Sequence, residues 1–281
     1  MFVRPRMALL AALGCLAGLA VTGVVAYLVP VAQTGDAGAL NGYVDLAHGR
    51  SDAVLLSIVH LASPFGYGVI ASVLIVVALL RRRFWLAALL PVVIVMAPFT
   101  TERLKHLLAH PREAEWLGHT QINAASWPSG HATASMTLAL CAVLVAPQVL
   151  RPLAALVGTT FALAVSFSML MLHGHFPSDI VGGYLCSGAW VLTAVAVLRR
   201  LEHAAPARRR APLTVAEALP LVSYAAFVAG VGAIVVLDRP RALLSYLVDR
   251  PAFTLSAVAI AVLAMLLPGL LAQISREPSA R

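Results

Sequence analysis

Trp127-Pro128-Ser129-Gly130-His131 runs straight into the apolar sequence ATASMTLALCAVLV. Pro128 fixes its own backbone angle, Ser129 is a helix-capping residue, and Gly130 lets the chain pass close to a ligand, so a helix is expected to begin at His131. The free N–H groups of such a helix start, with the Ser129 hydroxyl and the His131 imidazole, make a seat for an anion. Further on, His175-Phe176-Pro177-Ser178-Asp179 opens another apolar run. Its spacing lets the Asp179 carboxylate reach the His175 ring.

Working outward, the chain of 281 residues is 60% hydrophobic and only 11% charged, too apolar for a soluble domain. Apolar runs long enough to cross a bilayer as helices occur at about 7–31, 53–80, 84–101, 131–149, 152–172, 180–198, 219–237 and 254–274. The expected fold class is therefore all-α, a polytopic transmembrane helical bundle of about eight spans. Six spans within 1–198 form the core, which carries the motifs at 102–183; a basic linker at 199–217 leads to a two-helix appendage at 218–281. The stretches 33–52, 102–127, 173–179 and 238–253 are read as loops, the last a solvated connection with snorkelling arginines. The apolar run around Cys15 continues to Val31, so it reads as a retained first helix rather than a removed signal. Cys15, Cys141 and Cys186 all lie in apolar runs and read as small buried hydrophobes.

The net charge of +8 raises nucleic acid as a partner, but the arginines gather at the ends of the apolar runs and no basic stripe with interleaved aromatics occurs. Nucleic acid is set aside, and the partners expected are the lipid bilayer and a lipid substrate; no protein partner can be read. Arg4, Arg6, Arg81, Arg82, Arg83, Arg151, Arg199, Arg200, Arg208, Arg209, Arg210, Arg276 and Arg281 all fall on one side if every span crosses. The positive-inside rule makes that side, and both termini, cytoplasmic, and puts both histidine motifs on the opposite face of the cell membrane.

Lys105 and Arg112 follow the third span and share one face if that helix continues, because seven residues are close to two turns. Two cations beside an anion seat suit a phosphoester, which needs donors on its non-bridging oxygens, an in-line nucleophile and an acid for the leaving oxygen. Lys105, Arg112, Ser129 and the Gly130 amide can bind the phosphate, His175 can attack with Asp179 holding its tautomer, and His131 can protonate the leaving group. Trp127 and Phe176 read as interfacial packing. Metal is the chemical rival, since His106 with His110, and His173 with His175, have spacings that zinc sites use. With no cysteine near and two cations that would repel a dication, neither a metal nor another cofactor is expected.

These residues resemble the type 2 phosphatidic acid phosphatase superfamily, which includes membrane lipid phosphatases and prenyl diphosphate phosphatases. The resemblance covers about 102–183. The family's first motif, lysine and then arginine followed by proline, is met by Lys105 and Arg112, with Glu113 in place of the proline and Pro111 before the arginine. Pro128-Ser129-Gly130-His131 completes the second. The third is met at Ser168, His175 and Asp179, but Met169 stands where the family has arginine.

The resemblance implies metal-independent catalysis through a phosphohistidine on His175, with His131 as acid and base. Loss of one charge-assisted clamp at Met169 costs about 1.5–3 kcal/mol, and Arg103, His173 and His110 are the candidate substitutes. Some superfamily members that transfer phospho-headgroups between lipids also lack this arginine. The expected function is therefore a lipid phosphatase, with a lipid phosphotransferase or a non-catalytic lipid-phosphate-binding protein as alternatives.

Overall fold

The computed structural model describes residues 5–47, 52–109, 122–202 and 240–274, and all regular structure among them is helical. In chain order the helices are α1 (Pro5–Leu28), α2 (Pro30–Val44), α3 (Asp52–His60), α4 (Pro64–Leu80), α5 (Phe84–Leu107), α6 (Gly130–Val145), α7 (Arg151–Met171), α8 (Pro177–Leu201), α9 (Pro240–Asp249) and α10 (Pro251–Ile274). Proline occupies the first turn of α2, α4, α7 and α8, where its missing N–H costs nothing and its fixed φ favours the helix.

Among the described residues five helices are long and apolar enough to cross a membrane, those of α1, α5, α7, α8 and α10. The run expected as one span at 53–80 is broken, with α3 and α4 meeting at 47°. The break falls before Pro64, whose ring cannot continue the preceding helix. The run expected at 219–237, and the basic linker beyond residue 202, lie outside the described residues. Two stretches read as loops are helical: 30–44 forms α2, and 240–249 forms α9. Beyond α9, Arg250 is not simply solvated, for it pairs with Asp45 and stacks 4.5 Å over the Tyr246 ring.

The bundle is built around α6. Thirteen of its 16 residues are buried, and it touches α4, α5, α7, α8 and α10. A helix apolar on every face is stable only when surrounded, and α6 has that character. Next to it, α8 packs along α1, α5 and α6. The last helix is no appendage: α10 lies against α2, α6, α7 and α8, with Ile260 and Leu271 fully buried and Ala264 accepting a hydrogen bond from Thr159 at 3.0 Å. Large apolar side chains such as Leu10, Leu13, Val73, Val76, Leu255 and Leu266 face outward, as a bundle solvated by lipid requires.

Arginines close one end of the bundle. Arg81 donates to the Val145 carbonyl, and Arg83 donates to the Leu144 carbonyl at 2.7 Å and pairs with Glu202 at 3.3 Å. Arg199 reaches the Ile274 carbonyl at 3.4 Å. Each guanidinium meets carbonyls left unpaired at a helix C-terminus, where the helix dipole also favours a cation. The three cysteines are free and buried.

Because α10 belongs to the core, Ile260→Ala is expected to destabilise the protein by about 2–5 kcal/mol, the usual cost of a buried cavity. Val262→Ala, on the outward face of the same helix, is expected to leave the thermal unfolding midpoint in detergent nearly unchanged.

Candidate active site

Both histidine motifs stand at the end of the bundle opposite the arginines, where α5 finishes and α6 and α8 begin. Ser129 caps α6: its backbone is extended, and its Oγ accepts from the Ala132 N–H at 3.3 Å. The peptide Trp127–Pro128 is cis. The Ser129 N–H donates to the Asp179 carbonyl at 2.9 Å, so the first helix start is tied directly to the second. That approach needs Gly183, since a Cβ there would stand 2.7 Å from the Ser129 carbonyl oxygen and 3.0 Å from the Thr133 nitrogen.

Asp179 is fully buried at the third position of α8. Its Oδ2 accepts from the Phe176 N–H at 3.0 Å and lies 3.2 Å from His175 Nδ1. A neutral His175 ring that donates through Nδ1 leaves its lone pair on Nε2, the nitrogen available to attack an electrophile. The loop before it is set by the end of α7. Leu172, His173 and Gly174 donate to the carbonyls of Ser168, Leu170 and Met169, and His173 takes the left-handed conformation at φ 59°. Burial holds the His173 imidazole below its ordinary pKa. Where the family has arginine, the Met169 methyl group lies against the loop, 2.7 Å from where a Cβ on Gly174 would sit.

From α5, Lys105 brings its ammonium 3.5 Å from where a Cβ on Gly130 would lie, and Glu102 pairs with it at 3.8 Å. His131, half-buried in the first turn of α6, is within electrostatic range of His175, Lys105 and His60. Hydroxyls fasten the three helices beneath this cluster. Thr133 donates to the Ser129 carbonyl at 2.8 Å and meets Thr101 of α5 at 3.0 Å, while Ser187 of α8 donates to the Thr133 carbonyl at 2.8 Å.

Lys105, Ser129, Gly130, His131, His175 and Asp179 are thus gathered at one end of α5, α6 and α8. Arg103 is not among them. Two residues along a helix turn the side chain through about 200°, and Arg103 lies on the outer face of α5, 4.9 Å over the Phe99 ring. Helix α5 ends at Leu107, and Arg112 and His110 lie outside the described residues. Trp127 and Phe176 are buried rather than interfacial, each 2% exposed. Trp127 packs edge-on against Tyr27 at 6.2 Å.

Sequence reasoning passed over His60, which ends α3, and Asp36 on α2, which accepts from the Ser178 N–H at 3.1 Å. No residue pattern flags either one, because each reaches the site only through folding of a distant segment.

A buried histidine–aspartate pair, a lysine and a capped helix start thus lie together at one end of a bundle of apolar helices. Residues 85–202, from the start of α5 to the end of α8, match the model of the PAP2 superfamily. The family read from the three motifs and the family given by that match are the same.

Among solved structures, the chain is similar to the first transmembrane PAP2 type phosphatidylglycerolphosphate phosphatase from Bacillus subtilis. The two are 17% identical with a TM-score of 0.51, over 70% of this chain and 99% of that one. The likeness is one of fold. No curated protein matches the chain.

A methyl group at Gly183 must push α6 and α8 apart. Gly183→Ala is therefore expected to cost about 1–3 kcal/mol in stability, as overpacking does, and a thermal unfolding midpoint equal to that of the wild type would contradict the close approach.

Proposed function

We propose that the protein hydrolyses a phosphomonoester or diphosphate of a membrane lipid, an isoprenoid or a glycerolipid, through a phosphohistidine on His175. The observation that carries this reading is the His175 ring held by buried Asp179 in a turn whose backbone is bonded to Ser129 of the anion seat. The PAP2-type fold and the apolar outer faces of the helices support a lipid substrate.

In this reading Lys105, Ser129 and the Gly130 amide, with Arg112, bind the non-bridging oxygens. The Nε2 lone pair of His175 forms a bond to phosphorus while the phosphorus–oxygen bond to the lipid breaks, and His131 gives its proton to the leaving alkoxide. Asp179 stabilises the positive charge that develops on the His175 ring. Water then attacks the phosphohistidine, its proton passing to His131, and inorganic phosphate leaves with His175 restored to its neutral form. The arginines at the opposite end of the bundle support an extracytoplasmic site.

His173 is the candidate left beside the loop for the missing arginine. It lies two residues before His175, whereas Arg103 stacks on Phe99. Being held neutral by burial, it acts as a hydrogen-bond donor rather than a full charge at neutral pH. One observation favours transfer over hydrolysis as a second reading, namely Met169 at the position of the motif arginine.

Purified protein is expected to release phosphate from at least one of phosphatidic acid, a prenyl phosphate, a prenyl diphosphate or phosphatidylglycerol phosphate, with EDTA present. His175→Ala is expected to release none, and His131→Ala to lose activity by a factor on the order of 10² to 10⁴, the usual contribution of a general acid–base. Phosphorylated acceptor lipid in place of free phosphate would favour transfer, and neither product would refute both readings. His173→Ala is expected to raise KM by about 2- to 10-fold at neutral pH, the worth of one neutral hydrogen bond. That gap should widen as the pH falls, because the wild-type imidazole then gains a charge the variant lacks. A KM ratio independent of pH would remove His173 from phosphate binding.

A further inference from the structure

The segment matched to the family begins at residue 85, yet a side chain well before it reaches the catalytic turn. Asp36, half-buried on α2, accepts from the Ser178 N–H at 3.1 Å through Oδ1 and from the Ser178 hydroxyl at 2.5 Å through Oδ2. Ser178 stands between His175 and Asp179. The first turn of α8 has few donors to spare: Pro177 has none, Asp179 N–H goes to the Phe176 carbonyl at 3.0 Å, and Phe176 N–H goes to the Asp179 carboxylate. The Ser178 amide is thus tied down from outside the turn by Asp36, whose negative charge also suits a helix N-terminus.

Helix α2 is itself braced, and the brace comes from the far end of the chain. Gly42 admits Phe253 of α10 so closely that a Cβ there would lie 2.7 Å from the Phe253 Cβ. Tyr43 and Ser256 share a hydrogen bond of 3.2 Å, and the Tyr246 hydroxyl of α9 donates to the Gly42 carbonyl. A continuous set of contacts therefore runs from α10 through α2 and Asp36 to Ser178.

We propose that Asp36 is a positioning residue for the reaction, holding through Ser178 the turn that sets His175 against Asp179, with α9 and α10 fixing α2 for that purpose. The kinetic part rests on the phosphatase reading above. Phosphate binding by Lys105 and Ser129 comes from α5 and the start of α6, so loss of Asp36 should disturb the nucleophile and leave substrate binding in place.

The test uses full-length protein in detergent and has two arms. In the first, hydrogen–deuterium exchange is followed in peptides spanning 173–183, and Asp36→Ala is expected to speed exchange of these amides about tenfold, as loss of a local anchor does. Unchanged exchange in a folded Asp36→Ala variant overturns the proposal, whether or not the wild type hydrolyses lipid.

In the second arm, Asp36→Ala and Ser178→Ala are each expected to lower kcat about tenfold with KM within about threefold, and the double variant to lose no more than the worse single one. Independent, multiplicative losses overturn a route through Ser178, as does a loss carried by KM. If Asp36→Ala does not fold, Asp36→Asn, which keeps an acceptor for the Ser178 amide but no charge, is read by the same criteria with a smaller expected effect. A wild type inactive on every lipid phosphate refutes the phosphatase reading, and the exchange arm still decides the role of Asp36.

Discussion

The hydrogen bond from the Ser129 amide to the Asp179 carbonyl joins two helix starts whose dipoles would otherwise repel. Both positive ends face the same space, and the arrangement is tolerable because each is offset locally. Ser129 caps α6 with its own hydroxyl, while α8 has one carboxylate inside its first turn and Asp36 reaching it from α2. Lys105 is met only by the exposed Glu102 at 3.8 Å, so its ammonium and the outer amides of the seat still leave a field that favours an anion. In the function proposed above, binding and chemistry both follow from one crowded junction between α6 and α8, made possible by the bare backbone at Gly183.

The two helix starts were legible in the sequence because each is local, while the bond that joins them across fifty residues was not. Pro128-Ser129-Gly130-His131 specifies a capped helix start without help from the rest of the chain, and a carboxylate at the third position of a helix reaches back over the N-cap to the imidazole that precedes it. Apolar runs marked α1, α5, α7, α8 and α10, since a bilayer imposes length and hydropathy on each span separately. Helix α2 escaped notice for the opposite reason. With Gly35, Gly38 and Gly42 among polar neighbours it has weak intrinsic helicity, and it is stabilised by burying Ala37, Leu40 and Tyr43 against other helices.

Hydropathy also says nothing about neighbours. The runs of α1 and α10 are equally apolar to the eye, so the packing of α10 into the core, through close approaches at Gly42 and Thr159, could not be told from a peripheral span. The end of α5 was drawn too early because ionisable residues from Glu102 onward interrupt the apolar pattern while leaving helix propensity intact. Arg103 shows the limit of proximity in sequence: it adjoins Lys105 by two places and points the other way.

The central position of α6 also bears on how such a protein can diversify. A helix with no lipid-facing stripe has few positions where a change of side-chain volume is absorbed, so substitutions along it should be purged whatever the substrate. Variation is cheapest at outward-facing positions such as Leu10, Leu13, Val73 and Val76. On the proposed function, new lipid preferences would then arise by altering the surroundings of an unchanged reaction centre, one outward face at a time.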